Sequence, residues 1–255
     1  MEVSASVEIF AFVNDLTDDR DALVARSREV LRSLGRIDDR VSLHLPFAVS
    51  SVANVHSSLP VPLQSLRKTA VLEIHSPSAR NALSGKMMAE LADIVALLEN
   101  PEVHGKLNAV VLRGTGGWFC AGADLRVAQQ ELTSPEAGAA MGALMVDTLT
   151  RFRRLPLVSI ACIEGGAYGG GAELATACDF RVLETKAVIQ FVQVRMGVSP
   201  AWGGAVSHGA KRVINFADDV SLDAVLSYEH DVFKSLWGGP ANLEALEGAL
   251  EKKQH

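Results

Sequence analysis

Two glycine-bearing turns hold the residue types from which acyl chemistry is built. The first is Trp118-Phe119-Cys120-Ala121-Gly122-Ala123-Asp124-Leu125, and the second is Gly169-Gly170-Gly171-Ala172-Glu173. Each follows a short apolar run, and the second opens a helix. Glycine allows a tight turn and a close approach to its own N–H. A helix start leaves N–H groups unpaired at the positive end of the dipole. Two such turns can each aim one N–H at a single developing oxyanion. The pattern equally suits two plain strand-to-helix connections, and spacing alone leaves both readings open. Glu173 either complements its helix dipole or serves as a carboxyl held beside the oxyanion position for acid/base work. Cys120 has apolar neighbours and no histidine nearby in sequence, so it reads as core packing. Trp202, between Pro200-Ala201 and Gly203-Gly204, either walls an apolar pocket or anchors a loop.

Other chemistries lack their residues. The second turn does not follow G-x-G-x-x-G, and no acid stands about 20 residues further on for a dinucleotide ribose. There is no P-loop lysine, no G-x-S-x-G elbow and no Cys-x-x-Cys pair for a metal. Three cysteines in 255 residues do not make a disulfide framework, so reduced thiols and a cytosolic setting are expected. A net charge of −6 argues against nucleic acid as a partner. No apolar run reaches the roughly 18 residues of a membrane span. Acids at Glu2, Glu8, Asp15, Asp18, Asp19 and Asp21 argue against a targeting leader. With 48% hydrophobic and 21% charged residues, the chain suits one substantial core.

The elements that must position the two turns are legible as an α/β series. Strands are expected at Ala70–Ile74, Asn108–Leu112, Leu157–Ile163, Asp179–Leu183 and Val188–Val192. Helices are expected at Ser84–Glu99, with Met87, Leu91, Val95 and Leu98 on one stripe, at Glu136–Arg154 and at Ala172–Ala177. Strands separated by helices imply crossovers and a largely parallel sheet. Residues 1–66 read as an extension. Within it Thr17 caps a helix to about Leu34, apolar at Leu23, Val30, Leu31 and Leu34, and Val41–Leu66 follows without a clear period. Residues 67–207 form the core. Residues 208–255 are a helical segment, with a helix capped by Ser221, apolar at Leu222, Val225, Leu226, Val232 and Leu236, and stopped by Trp237-Gly238-Gly239-Pro240.

At Ser76–Leu83, Trp118–Leu125, Ala167–Phe180 and Met196–Gly204 the chain resembles the crotonase superfamily, the enoyl-CoA hydratases and isomerases. The four stretches occur in family order over a little more than half the chain. The resemblance implies a crotonase-like spiral core with C-terminal helices and an acyl-CoA substrate. It implies a catalytic set of Glu173 with the N–H groups of Ala123 and Gly170. Substrate contacts are implied at Arg80, Ala82, Ala121, Asp124, Gln193 and Trp202. It implies no metal and no cofactor beyond the substrate's CoA, and assembly as a trimer or hexamer.

Two departures from the family pattern matter. Hydratases of this family carry a second glutamate where this chain has Gln193, and hydration needs positioned acid/base groups. Removal of CO2 from a malonyl-type thioester, such as ethylmalonyl-CoA or methylmalonyl-CoA, needs mainly a stabilised enolate oxygen. The resemblance therefore implies an acyl-CoA decarboxylase. A hydratase or isomerase is the alternative, as is an impaired chain that only binds acyl-CoA or another subunit. The second departure is a helical stretch missing after Gly204, which in the family covers the site.

Overall fold

The computed structural model describes residues 20–48, 66–131, 134–203 and 222–251. The expected caps at Thr17 and Ser221, and Gly204 with the departure that follows it, lie outside those residues.

Parallel strands form the centre because each apolar run is followed by a helix that must cross back over the sheet. Strands β1 (Arg40–His44), β2 (Thr69–His75), β3 (Ala109–Gly114), β4 (Val158–Ile163) and β6 (Phe180–Leu183) lie in the order β1-β2-β3-β4-β6. Strands β2, β3, β4 and β6 run parallel, and β1 is antiparallel to β2. A second sheet pairs β5 (Gly166–Tyr168) with β7 (Val188–Gln190), also parallel.

The helices fill in between. Helix α1 is Arg20–Arg32, α2 is Gly85–Leu98 and α3 is the single turn Pro101–His104. Helix α4 is Leu125–Glu131, α5 is Pro135–Arg153 and α6 is Gly170–Thr176. After a 3-10 turn at Gln193–Met196 come α7, Leu222–Leu236, and α8, Pro240–Glu251. The α2 stripe of Met87, Leu91, Val95 and Leu98 is buried as its spacing predicts. Helix α5 starts where a Ser-Pro pair allows: Ser134 Oγ accepts the Ala137 N–H at 3.1 Å, and Pro135 needs no partner for an N–H it lacks.

The N-terminal segment departs from its expected irregularity. Arg40–His44 is a strand paired from Arg40↔His75 to His44↔Val71, and Val41 and Leu43 turn into the same core as Leu31 of α1. Among the described residues, no helix is long and apolar enough to cross a membrane.

Candidate functional site

The first glycine turn is stitched in by two one-residue bridges. Leu83 donates its N–H to the Gly122 carbonyl at 2.7 Å, and Asp124 donates to the Leu83 carbonyl at 2.9 Å. In this parallel bridge Leu83 makes both bonds, so the N–H of the facing residue, Ala123, points the other way. Cys120 is bridged in turn, donating to Gly166 O at 3.1 Å and accepting from Tyr168 N–H at 2.9 Å. Asn81 holds the turn from behind. Its side-chain amide donates to Thr115 O at 2.8 Å and Trp118 O at 2.7 Å, and its Oδ1 accepts the Ser76 N–H at 2.8 Å.

The second turn lies against the first. Gly122 has φ +92°, and a Cβ there would stand 2.8 Å from Tyr168 O and 3.0 Å from the Gly170 nitrogen. Gly169, at φ +54°, turns the chain into α6. Gly170 and Ala123 thus each bring an N–H that has no acceptor among the described residues. The Gly170 Cα is packed under Trp202, whose ring would be 2.2 Å from an added Cβ.

Glu173, one turn into α6 and 2% exposed, anchors the opposite wall. Its Oε1 accepts the Trp202 N–H at 2.7 Å, and its Oε2 accepts the Gln193 side-chain N–H at 2.7 Å. Trp202 therefore both walls the pocket and anchors its loop. Cys120 is fully buried, and burial pushes its thiol up to about 12, which suits core packing and not nucleophilic attack.

One cavity gathers Ala121, Ala123, Gly170, Glu173, Gln193 and Trp202. Arg80, Ala82 and Asp124 are not among the residues that line it. Arg80, at φ +53°, stacks its guanidinium 4.8 Å from the Trp118 ring and offers its carbonyl to the Ala121 N–H. Ala82 is buried in the corner. Asp124 caps α4 through the Arg126 N–H at 2.9 Å and pairs with Arg36 at 2.7 Å.

The far wall falls outside the two turns that the sequence singles out. Phe233 and Trp237 of the α7 end and Leu246 of α8 close the cavity, facing Met141 of α5. Their seat is cut by glycines: an added Cβ at Gly138 would be 2.0 Å from the Trp237 ring, and one at Gly142 3.3 Å from Phe233. Asn242 ties this wall to the floor, accepting Gly238 N–H and donating to Met196 O, both at 2.9 Å. Leu236, expected on the apolar face of α7, is instead 36% exposed. Among the described residues, no cluster of His, Cys, Asp and Glu is arranged to hold a metal.

Fold and site together define a crotonase-like α/β protein. The family described as enoyl-CoA hydratase/isomerase matches residues 67–215, and the chain belongs to it. It is 34% identical to an ethylmalonyl-CoA decarboxylase of Mus musculus, over 69% of this chain and 73% of that protein. It is 36% identical to one of Danio rerio, over 76% and 84% respectively. The mouse alignment is 238 positions long yet takes in only 69% of this chain, about 176 residues, so about 60 positions of that relative have no counterpart here. In structure, an enoyl-CoA hydratase/isomerase from Mycobacterium paratuberculosis superposes with a TM-score of 0.60 at 16% identity, covering 71% of this chain and 94% of that one.

Proposed function

We propose that the chain is an acyl-CoA decarboxylase that removes CO2 from ethylmalonyl-CoA or methylmalonyl-CoA. The Gln193–Glu173 bond carries this reading. A second carboxylate at that position would give the pair of acid/base groups that hydration calls for; a glutamine donates to Glu173 and cannot titrate. The relatives named for decarboxylation of ethylmalonyl-CoA agree with that chemistry.

In this reading the thioester oxygen lies between the Ala123 and Gly170 N–H groups, which form an oxyanion hole. Loss of CO2 leaves the C–C bonding pair as an enolate with its charge on that oxygen, where fixed donors cost no reorganisation. One proton then adds to the α-carbon, giving the saturated thioester, butyryl-CoA from ethylmalonyl-CoA. Glu173, with both oxygens tethered, orients the acyl group or delivers that proton. Ala121 lines the acyl-CoA path, and Arg80, Ala82 and Asp124 shape the corner along which the CoA passes. The step calls on neither metal nor organic cofactor, because the two N–H groups supply the stabilisation. We further propose a cytosolic setting and assembly as a trimer or hexamer.

The test is product mass and CO2 release from ethylmalonyl-CoA, methylmalonyl-CoA and crotonyl-CoA. Butyryl-CoA from the first is expected. Hydration of crotonyl-CoA at a comparable or higher rate would overturn the assignment in favour of a hydratase.

A further inference from the structure

Ser199 adds a hydroxyl to this cavity. It lines the pocket, is 3% exposed, and its Oγ has no hydrogen-bond partner among the described residues. A buried hydroxyl left unpaired costs stability and calls for an explanation. The segment that carries it is pinned on both sides. Val198 donates its N–H to Gln193 O at 3.1 Å, and Trp202 donates to Glu173 at 2.7 Å. Pro200, next in the chain, disfavours a helical turn at Ser199. Other polar side chains on the lining have their tasks. Asn242 accepts from Gly238 and donates to Met196 O, and Gln193 gives an N–H to Glu173. Gln193 leaves its Oε1 open, but a carbonyl oxygen repels an anion, as does the carboxylate to which Gln193 donates. The wall formed by Met141, Phe233 and Trp237 is apolar.

We propose that the Ser199 hydroxyl binds the free carboxylate of the substrate, and so selects malonyl-type thioesters, which carry one, over plain acyl thioesters, which do not. The inference rests on the decarboxylase reading of the same site. With the thioester oxygen on the Ala123 and Gly170 N–H groups and the alkyl branch against the apolar wall, the carboxylate needs a donor away from Gln193 Oε1 and Glu173. Ser199 offers one. Hydrogen bonds to a charged group are the stronger kind, so a single O–H is worth much to a carboxylate in a buried site. A neutral donor also suits the reaction better than a cation. The C–C bond breaks, its electron pair passes into the thioester enolate and CO2 leaves uncharged, while Ser199 keeps its proton. An arginine at this place would favour the bound carboxylate over a transition state from which that charge is departing, and would slow the step. One hydroxyl holds the group with less of that penalty.

The experiment compares the native chain with Ser199→Ala on ethylmalonyl-CoA and butyryl-CoA, which differ only in the carboxylate. KM for ethylmalonyl-CoA is expected to rise about tenfold to a hundredfold, the worth of one hydrogen bond to a charged group, with kcat changing less. The affinity for butyryl-CoA is expected to stay within about twofold of native. Because the hydroxyl has no partner among the described residues, Ser199→Ala is expected to unfold at the native temperature or above it. An unchanged KM for ethylmalonyl-CoA, or equal weakening of both ligands, would overturn the proposal. So would a marked loss of thermal stability, since it would mean that the hydroxyl serves the fold. If the native chain decarboxylates neither ethylmalonyl-CoA nor methylmalonyl-CoA, the functional reading fails. The carboxylate site is then judged by binding alone, and ethylmalonyl-CoA binding equally to native and Ser199→Ala chains would refute it separately.

Discussion

Gln193 donates its side-chain N–H to Glu173 at 2.7 Å, and both residues are buried. The contact is compatible with one charge and not with two. An amide satisfies the carboxylate; a second carboxylate at the same place would share its proton or be pushed away, as closely placed acids do. The other carboxylate oxygen accepts a main-chain N–H, from Trp202. The acid is therefore oriented by two donors of different kinds, one replaceable and one not.

Gln193→Glu tests that arrangement. The new carboxyl removes the donor from Glu173 and adds a competing acid, so decarboxylation is expected to fall about tenfold or more, with a stability loss of about 1–3 kcal/mol from the broken buried bond. Product mass from ethylmalonyl-CoA and crotonyl-CoA, with thermal unfolding alongside, checks it. Undiminished CO2 release would show that the Gln193 donor is dispensable for the chemistry.

The central elements were legible because their signals are local. Ala70–Ile74 reads as a strand from its apolar run alone, and the structure extends it only to Thr69 and His75. The Met87, Leu91, Val95 and Leu98 stripe needs nothing beyond helical period. Helix α6 begins at Gly170, two residues before the expected Ala172, because Gly169 at positive φ lets glycines occupy the first turn where their poor propensity costs little. Strand β1 was missed for the opposite reason. Its five residues carry Val41 and Leu43 inward between polar neighbours, and its partner, β2, lies beyond a long intervening segment. The cavity's far wall was illegible on similar grounds. Periodicity predicts that α7 has an apolar face, but only the notches at Gly138 and Gly142 of α5 decide that Phe233 and Trp237 fill the seat while Leu236 turns outward.

Gly170→Ala tests the second turn. The added methyl would stand 2.2 Å from the Trp202 ring, so either the indole or the Gly170 N–H must shift. Loss of one oxyanion donor costs about 10²–10³ in kcat, and a loss of that order is expected here with a smaller change in KM. Steady-state kinetics on folded protein decides it. A native kcat would remove the Gly170 N–H from the reaction.

Asn81→Asp addresses the corner behind the first turn. Asn81 is fully buried at φ +56°, and its amide N–H groups serve two carbonyls, Thr115 O and Trp118 O. Aspartate keeps the size and tolerates the backbone, but brings acceptors against acceptors. A destabilisation of about 2–4 kcal/mol is expected from orphaned buried groups, visible in denaturant unfolding. A change within about 0.5 kcal/mol would show that the two carbonyls find other donors.

The thiols give a check that needs no substrate. Cys120 and Cys178 are buried and pushed up to about 12, whereas Cys162 is half-buried, its thiol also raised by burial but open to a reagent. Thiolate is the reactive form, so the native chain is expected to take up a single equivalent of an alkylating reagent at pH 8, at Cys162, and three after denaturation. Peptide mass mapping identifies the site. Rapid native modification of Cys120 would mean that the first turn opens to solvent.

Gly138→Ala probes how the C-terminal helices shape the acyl cavity. A methyl on α5 would lie 2.0 Å from the Trp237 ring and 2.5 Å from its Nε1, closer than any packed neighbour can stand, so Trp237 has to move. It cannot retreat freely, because Phe233 stacks 5.1 Å away and the Gly238 N–H is tied to Asn242. Two responses compete. If the helix pair holds, the indole is driven toward Met141 and Leu246 and the cavity narrows; overpacking of this kind costs about 1–3 kcal/mol. If the pair yields, α7 lifts away and the apolar wall opens to water. The first response follows from the tethers on both sides of Trp237. It predicts that KM rises more for ethylmalonyl-CoA than for methylmalonyl-CoA, whose branch is one methylene shorter and reaches less far toward the displaced ring, by a factor within the range of about 10–200 that one methylene is worth in a hydrophobic pocket. Equal loss for both thioesters, with a fluorescence shift marking an exposed tryptophan, would instead mean that the wall detaches, and that Trp237 excludes water without setting the size of the acyl branch.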